Sequence, residues 1–127
     1  MGLDFRDSSV SFSYGSFMTF RQKLANLDNL GDLHMYKGYG GNMEMPDIPM
    51  RDFYLHSDCD GELTPEQLKV IYPRFREIID MMKQDSHVDE YMVDKGNDLV
   101  NFIAELIAND EPLIFEWGYY GTTYRKI

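Results

Sequence analysis

Cysteine is almost missing from this chain. Cys59 is the single one among 127 residues, so no intrachain disulfide can staple the fold. A reducing compartment is the simpler expectation, and the cytoplasm is the expected location. Basic residues are scarce as well: 12 Lys and Arg stand against 22 Asp and Glu, for a formal net charge of -10. That balance argues against nucleic acid and anionic membrane surfaces, because such binding neutralises phosphates with Lys and Arg. It fits solubility first, and second a protein partner with a basic surface. No run approaches the roughly 18 apolar residues of a membrane span. The opening stretch Met-Gly-Leu-Asp-Phe-Arg-Asp-Ser-Ser has no signal-peptide h-region, and Arg6 stands where myristoylation of Gly2 would want Ser or Thr. Phosphate-cradling glycine loops, nucleophile elbows and zinc-helix motifs are also lacking, so no catalytic residue and no cofactor is expected on motif grounds.

What the chain does have is large apolar side chains. Eight Phe and nine Tyr in a chain of 43% hydrophobic residues supply enough surface to offset the conformational entropy of folding. A chain of 127 residues fits one domain with one core, here taken as 1–127. Residues 2–14 alternate as a β-hairpin: Leu3 and Phe5 face inward and Asp4 outward, residues 6–9 turn, and Val10, Phe12 and Tyr14 face inward again. Ser16 is the expected N-cap of a first helix whose stripe is Phe17, Phe20, Leu24 and Leu27, with Arg21, Gln22 and Lys23 projecting elsewhere. Residues 28–49 have no period and several Gly and Pro, which reads as loop with room for a short helical turn. Packed over the core, such a loop acts as a lid. Its aromatics and methionines also suit a binding surface.

Thr64, Pro65 and Gln67 spell a capping box opening a helix over 64–82, with the stripe Leu68, Ile71, Phe75, Ile78 and Met82. The stripe keeps phase through Pro73, which favours one kinked helix over a break at Tyr72. A third helix is expected over about 88–108, introduced by Ser86 and Asp89. Gly96 in its middle costs roughly 1 kcal/mol against alanine and so implies a close approach by another element. Leu113, Phe115 and Trp117 then alternate as a strand, and 118–121 could turn it back into 122–127. The expected fold is α+β: a small antiparallel sheet of three or four strands with about three helices packed on one face.

One local pattern suggests chemistry. Residues 56–67, HSDCDGELTPEQ, overlay the twelve-residue calcium loop, with Asp58 and Asp60 at loop positions three and five, Gly61 at the turn, Glu62 offering its carbonyl and Leu63 at the apolar position. Asp58, Asp60 and Glu62 are thus the candidate metal ligands. His56 stands where a carboxylate should open the loop, and Gln67 where a bidentate glutamate should close it. A tight turn followed by a helix cap accounts for the same residues with fewer requirements. Any calcium affinity is expected to be millimolar or weaker on the ligand count.

The stretch His56 to Glu66, the opening Gly2-Leu3-Asp4 and the Pro73-Arg74 pair resemble a family of small uncharacterised bacterial and phage proteins whose hallmark is HSDCDGELTPE. The resemblance covers most of the chain apart from the 29–49 loop and the Tyr-rich tail. It implies kinship and no activity.

Remaining candidates are weaker. His56 and Cys59 could form half of a metal site or a thiol with its base, but Asp58 and Asp60 flank the thiol and disfavour thiolate, so a buried, inert cysteine is expected. Asp89 and Glu90 suit a helix start better than an acid and base pair. By exclusion, the chain reads as a non-catalytic protein-interaction domain whose surface is carried by Tyr36, Tyr39 and Met43 of the long loop and by Tyr119 and Tyr120 of the tail. The rivals are metal binding at 56–67 and an enzyme whose groups meet only in the fold.

Overall fold

The computed structural model describes residues 2–118. Four strands, β1 (Gly2–Phe5), β2 (Ser11–Ser13), β3 (Glu62–Leu63) and β4 (Leu113–Gly118), form one antiparallel sheet in the order β2-β1-β4-β3. Four helices accompany it: α1 (Tyr14–Leu27), α2 (Arg51–Leu55), α3 (Pro65–Gln84) and α4 (Glu90–Ala108), with a 3-10 turn at Leu33–Met35. This is the α+β arrangement expected. Among the described residues no helix is long and apolar enough to cross a membrane. The expected turn and strand over 119–127 lie outside the described residues.

The sheet's inward face follows from strand alternation. Leu3 lies opposite both Phe12 and Trp117, and Phe5 opposite Phe115, so these side chains share one face. Leu3, Phe5, Phe12, Leu113 and Phe115 are fully buried, while Trp117 at the strand end stays 47% exposed. Aromatic rings weld this face to the helices: Phe5 packs edge-on to Phe17, Phe12 lies 5.1 Å from Phe20, and Phe53 bridges Phe17 and Phe75. Alternation also predicts a solvated Asp4, and here the structure differs. Asp4 is buried, because β1 is an interior strand flanked by Ser11 of β2 and Glu116 of β4.

Phe5, Phe12, Phe20, Leu24, Leu68, Ile71, Phe75, Ile103, Leu106 and Phe115, which the strand and helix periods assign to one core, are buried in it, and Phe102 of the same set is half-buried at its edge. Helix α3 runs unbroken through Pro73, and Thr64 and Gln67 close the capping box in both directions. Gly96 of α4 sits against α3. A Cβ there would stand 2.4 Å from Ile79 Cδ1 and 3.2 Å from Phe20 Cε1, which is the close approach a mid-helix glycine implies. Two caps move by three residues: Ser13, not Ser16, caps α1 by accepting from the Ser16 amide, and Asp89, not Ser86, caps α4 by accepting from the Tyr91 amide. The long loop packs as a lid, with Leu30, Leu33, Tyr36, Met45 and Met50 buried.

Candidate functional site

The 56–67 segment is built as a turn between α2 and α3. The Ser57 hydroxyl accepts from the Cys59 and Asp60 amides, Gly61 takes φ +88°, and Glu62 and Leu63 leave the turn as β3 against Ile114 and Leu113. The helix–loop–strand–helix path is that of a calcium loop, but two of the groups that would face the ion, the Glu62 carbonyl and the Gln67 side chain, are engaged elsewhere. The Glu62 carbonyl, which would face the ion, lies 3.1 Å from His56 Nε2, and the Ser57 carbonyl lies 2.9 Å from Nδ1, so either neutral tautomer satisfies one of the two. The imidazole stacks on Phe115 with ring centroids 3.9 Å apart. Gln67 accepts from the Thr64 amide and donates to Asp52 of α2. Asp58 is half-buried, while Asp60 and Glu62 are exposed. Among the described residues no three His, Cys, Asp or Glu side chains gather as a metal-holding group. Cys59 is half-buried rather than buried, with its sulfur 3.5 Å from the Ser57 hydroxyl, and the His56 nitrogens address carbonyls instead of the thiol.

Behind the turn stands a residue that the helical stripe passed over. Arg21 is buried, and its Nη1 donates to the carbonyls of Phe53, Tyr54 and His56 at 3.1, 3.0 and 2.8 Å, closing the C-terminus of α2 from outside. Its guanidinium lies 4.3 Å from the Phe17 ring centroid and 5.6 Å from that of Tyr39. Burial pushes the guanidinium below its ordinary pKa, while Tyr39 and Asp58 act in the other direction. A signal was present in the sequence: Arg21 is four residues from both Phe17 and Ala25, inside the buried arc of α1.

The proposed interaction residues divide. Tyr36 is buried and its hydroxyl donates to the Leu30 carbonyl; Tyr39 is half-buried and donates to the Tyr54 carbonyl. Burial raises the Tyr39 phenol pKa, with Arg21 opposing. Both are anchors of the loop. Met43 is 47% exposed, and Met35, which composition alone did not single out, is 43% exposed beside it. The Met43 amide donates to the Met35 carbonyl and the Lys37 amide to the Met43 carbonyl, closing the 35–43 loop. Gly41 permits that closure, because a Cβ there would stand 2.1 Å from the Met35 backbone. Met35, Gly41 and Met43 line a cleft of about 350 Å³. Tyr119 and Tyr120 lie outside the described residues. Compared with known protein families, with curated proteins and with solved structures, the chain matches none.

Proposed function

We propose that this chain is a non-catalytic protein-interaction domain of the cytoplasm, and that it docks a basic-surfaced protein on the tip of its 35–43 loop. One observation carries the reading: two methionines stay nearly half exposed on a loop whose backbone is closed and pinned by Tyr36 and Tyr39. Thioether side chains adapt to irregular partners, and a loop already ordered loses less freedom on binding. The formal charge of -10, with Asp47 exposed just beyond the loop tip and Glu44 already paired with Lys37, favours a basic partner over an acidic one. Metal binding at 56–67 is the weaker proposal, because the Glu62 carbonyl and the Gln67 side chain are engaged elsewhere. The kinship with the HSDCDGELTPE proteins belongs to the proposal too and adds no role.

The test is affinity capture from a bacterial lysate with mass spectrometry, comparing the parent with a Met35→Ser/Met43→Ser double variant of unchanged urea midpoint. The expected result is a protein of high isoelectric point that the parent holds and the variant loses. Equal capture by both would refute the assignment of the loop tip.

A further inference from the structure

A second depression lies between α1 and the turn that follows it, with a volume of about 530 Å³. Met18, Gln22, Lys23 and Asn26 of α1 form one wall, and the 31–34 turn with Asp32 and His34 forms the other. Gln22 ties the two walls together. Its Nε2 donates to the Gly31 carbonyl and to Asn26 Oδ1, both at 2.8 Å, and its Oε1 accepts from the Leu33 amide at 2.9 Å. Asp32 fixes His34 in turn, because Oδ1 accepts from the His34 amide and lies 3.0 Å from Nδ1. These bonds hold the Asp32 carboxyl below the usual carboxylate range. The groove is therefore formed before any ligand arrives.

The groups left uncommitted are mostly donors. Lys23 is half-buried and has no hydrogen-bond or ion-pair partner among the described residues, whereas Arg6, Lys37, Arg74 and Lys83 each meet a carboxylate. In a chain with 22 acidic residues, a half-buried ammonium without a counter-ion stands out. The Asn26 oxygen takes the bond from Gln22, and its amide nitrogen has no hydrogen-bond partner among the described residues. The Met18 side chain and the methylenes of Gln22 and Lys23 supply apolar surface. A depression of this volume, mostly apolar with a few placed polar groups, suits a small molecule. From Met18 to Asn26 the helix rises only about 12 Å, too short a bed for a docked helix.

We propose that this groove binds a small apolar monocarboxylate, with its carboxylate on Lys23 and Asn26 and its apolar body along Met18. Lys23 is the cation and Asp32 the anion among the groups that line the groove, so a single carboxylate on the Lys23 side is accommodated where a more highly charged phosphate is repelled by Asp32. The site is separate from the Met35–Met43 surface, and either can fail without the other.

The test is a two-dimensional ¹H–¹⁵N NMR titration of the full chain with benzoate, benzamide and inorganic phosphate as probes. Benzoate is expected to give saturable shifts centred on residues 18–34, with benzamide and phosphate clearly weaker. Lys23→Gln should weaken benzoate about ten-fold, the loss of one charge-assisted hydrogen bond. Lys23→Arg, which keeps the charge, should bind nearly as the parent does. Benzoate shifts that do not saturate, or equal benzoate binding by Lys23→Gln, would overturn the proposal. So would benzamide or phosphate binding as tightly as benzoate, since the groove would then be a plain apolar cleft or an unselective cation site.

Discussion

At the scale of single residues, Arg21 shows how residue type can mask a position that the helical period marks as buried. Residue type favours an outward arginine, and the 3.6-residue period places this one inside the buried arc of α1. Type and position conflict there, and the resolution depends on a partner 32 to 35 residues away: the bare carbonyls of the five-residue helix α2. Nothing local to either segment announces that pairing. Two effects oppose each other in an Arg21→Met variant. Removing a buried charge relieves its desolvation, while the carbonyls of Phe53 and His56 lose their side-chain donor. The Tyr54 carbonyl keeps the Tyr39 hydroxyl, so two acceptors bear most of the loss. The expected outcome is a net destabilisation of about 2 kcal/mol, measured as a lower urea midpoint at unchanged slope. His56 was legible as a departure from a calcium loop but not as a ring stacked on Phe115, since that contact joins residues 59 apart in sequence.

At the scale of elements, the long amphipathic helices and the opening hairpin were readable, and the short α2 and β3 were not. Helices α1, α3 and α4 each repeat their apolar stripe over several turns, whereas α2 has five residues and β3 two, too few for a period to show. The caps slipped because Ser13 and Ser16, like Ser86 and Asp89, stand three residues apart, and either member of each pair satisfies the capping rule. Two contacts test how the helices meet. Gly96→Ala gains about 1 kcal/mol of helix propensity but forces a methyl against Ile79 and Phe20, which costs about 1–3 kcal/mol in a packed core. Packing should win, with a net loss of about 1 kcal/mol in chemical denaturation. A midpoint raised by the substitution would mean that α3 and α4 separate without strain. The second contact is Asp28, which ends α1, takes two bonds from Arg74 of α3 at 2.9 and 2.8 Å, and accepts the Tyr54 hydroxyl of α2 at 3.0 Å. Asp28→Ala should cost about 2–3 kcal/mol, less than a fully buried pair because Arg74 keeps some solvent contact. Asp28→Asn, which retains one acceptor, should recover part of that loss in the same assay.

At the scale of the whole molecule, three tyrosines distributed around α1 and its neighbours share one electrostatic bias. Burial pushes the Tyr54 phenol far above its ordinary pKa, and Asp28 adds to the shift. Tyr39 is raised by burial and Tyr14 by desolvation with Cys59 and Asp58 behind it. In the unfolded chain tyrosines release their protons near pH 10. Above that pH the folded state therefore binds more protons than the unfolded one, so the stability these groups contribute is fully present below about pH 10 and declines as pH rises. An acidic chain also repels itself more strongly as further negative charge accumulates, so a falling midpoint alone does not identify the phenols. Tyr54→Phe separates the two causes, because it removes the most strongly shifted group and leaves the net charge at neutral pH unchanged. Urea midpoints of the parent should fall steeply between about pH 9.5 and 11, and those of Tyr54→Phe should fall less, although the variant starts lower for want of the bond to Asp28. Parallel curves for the two proteins would assign the alkaline loss to general repulsion and remove Tyr54 from the account.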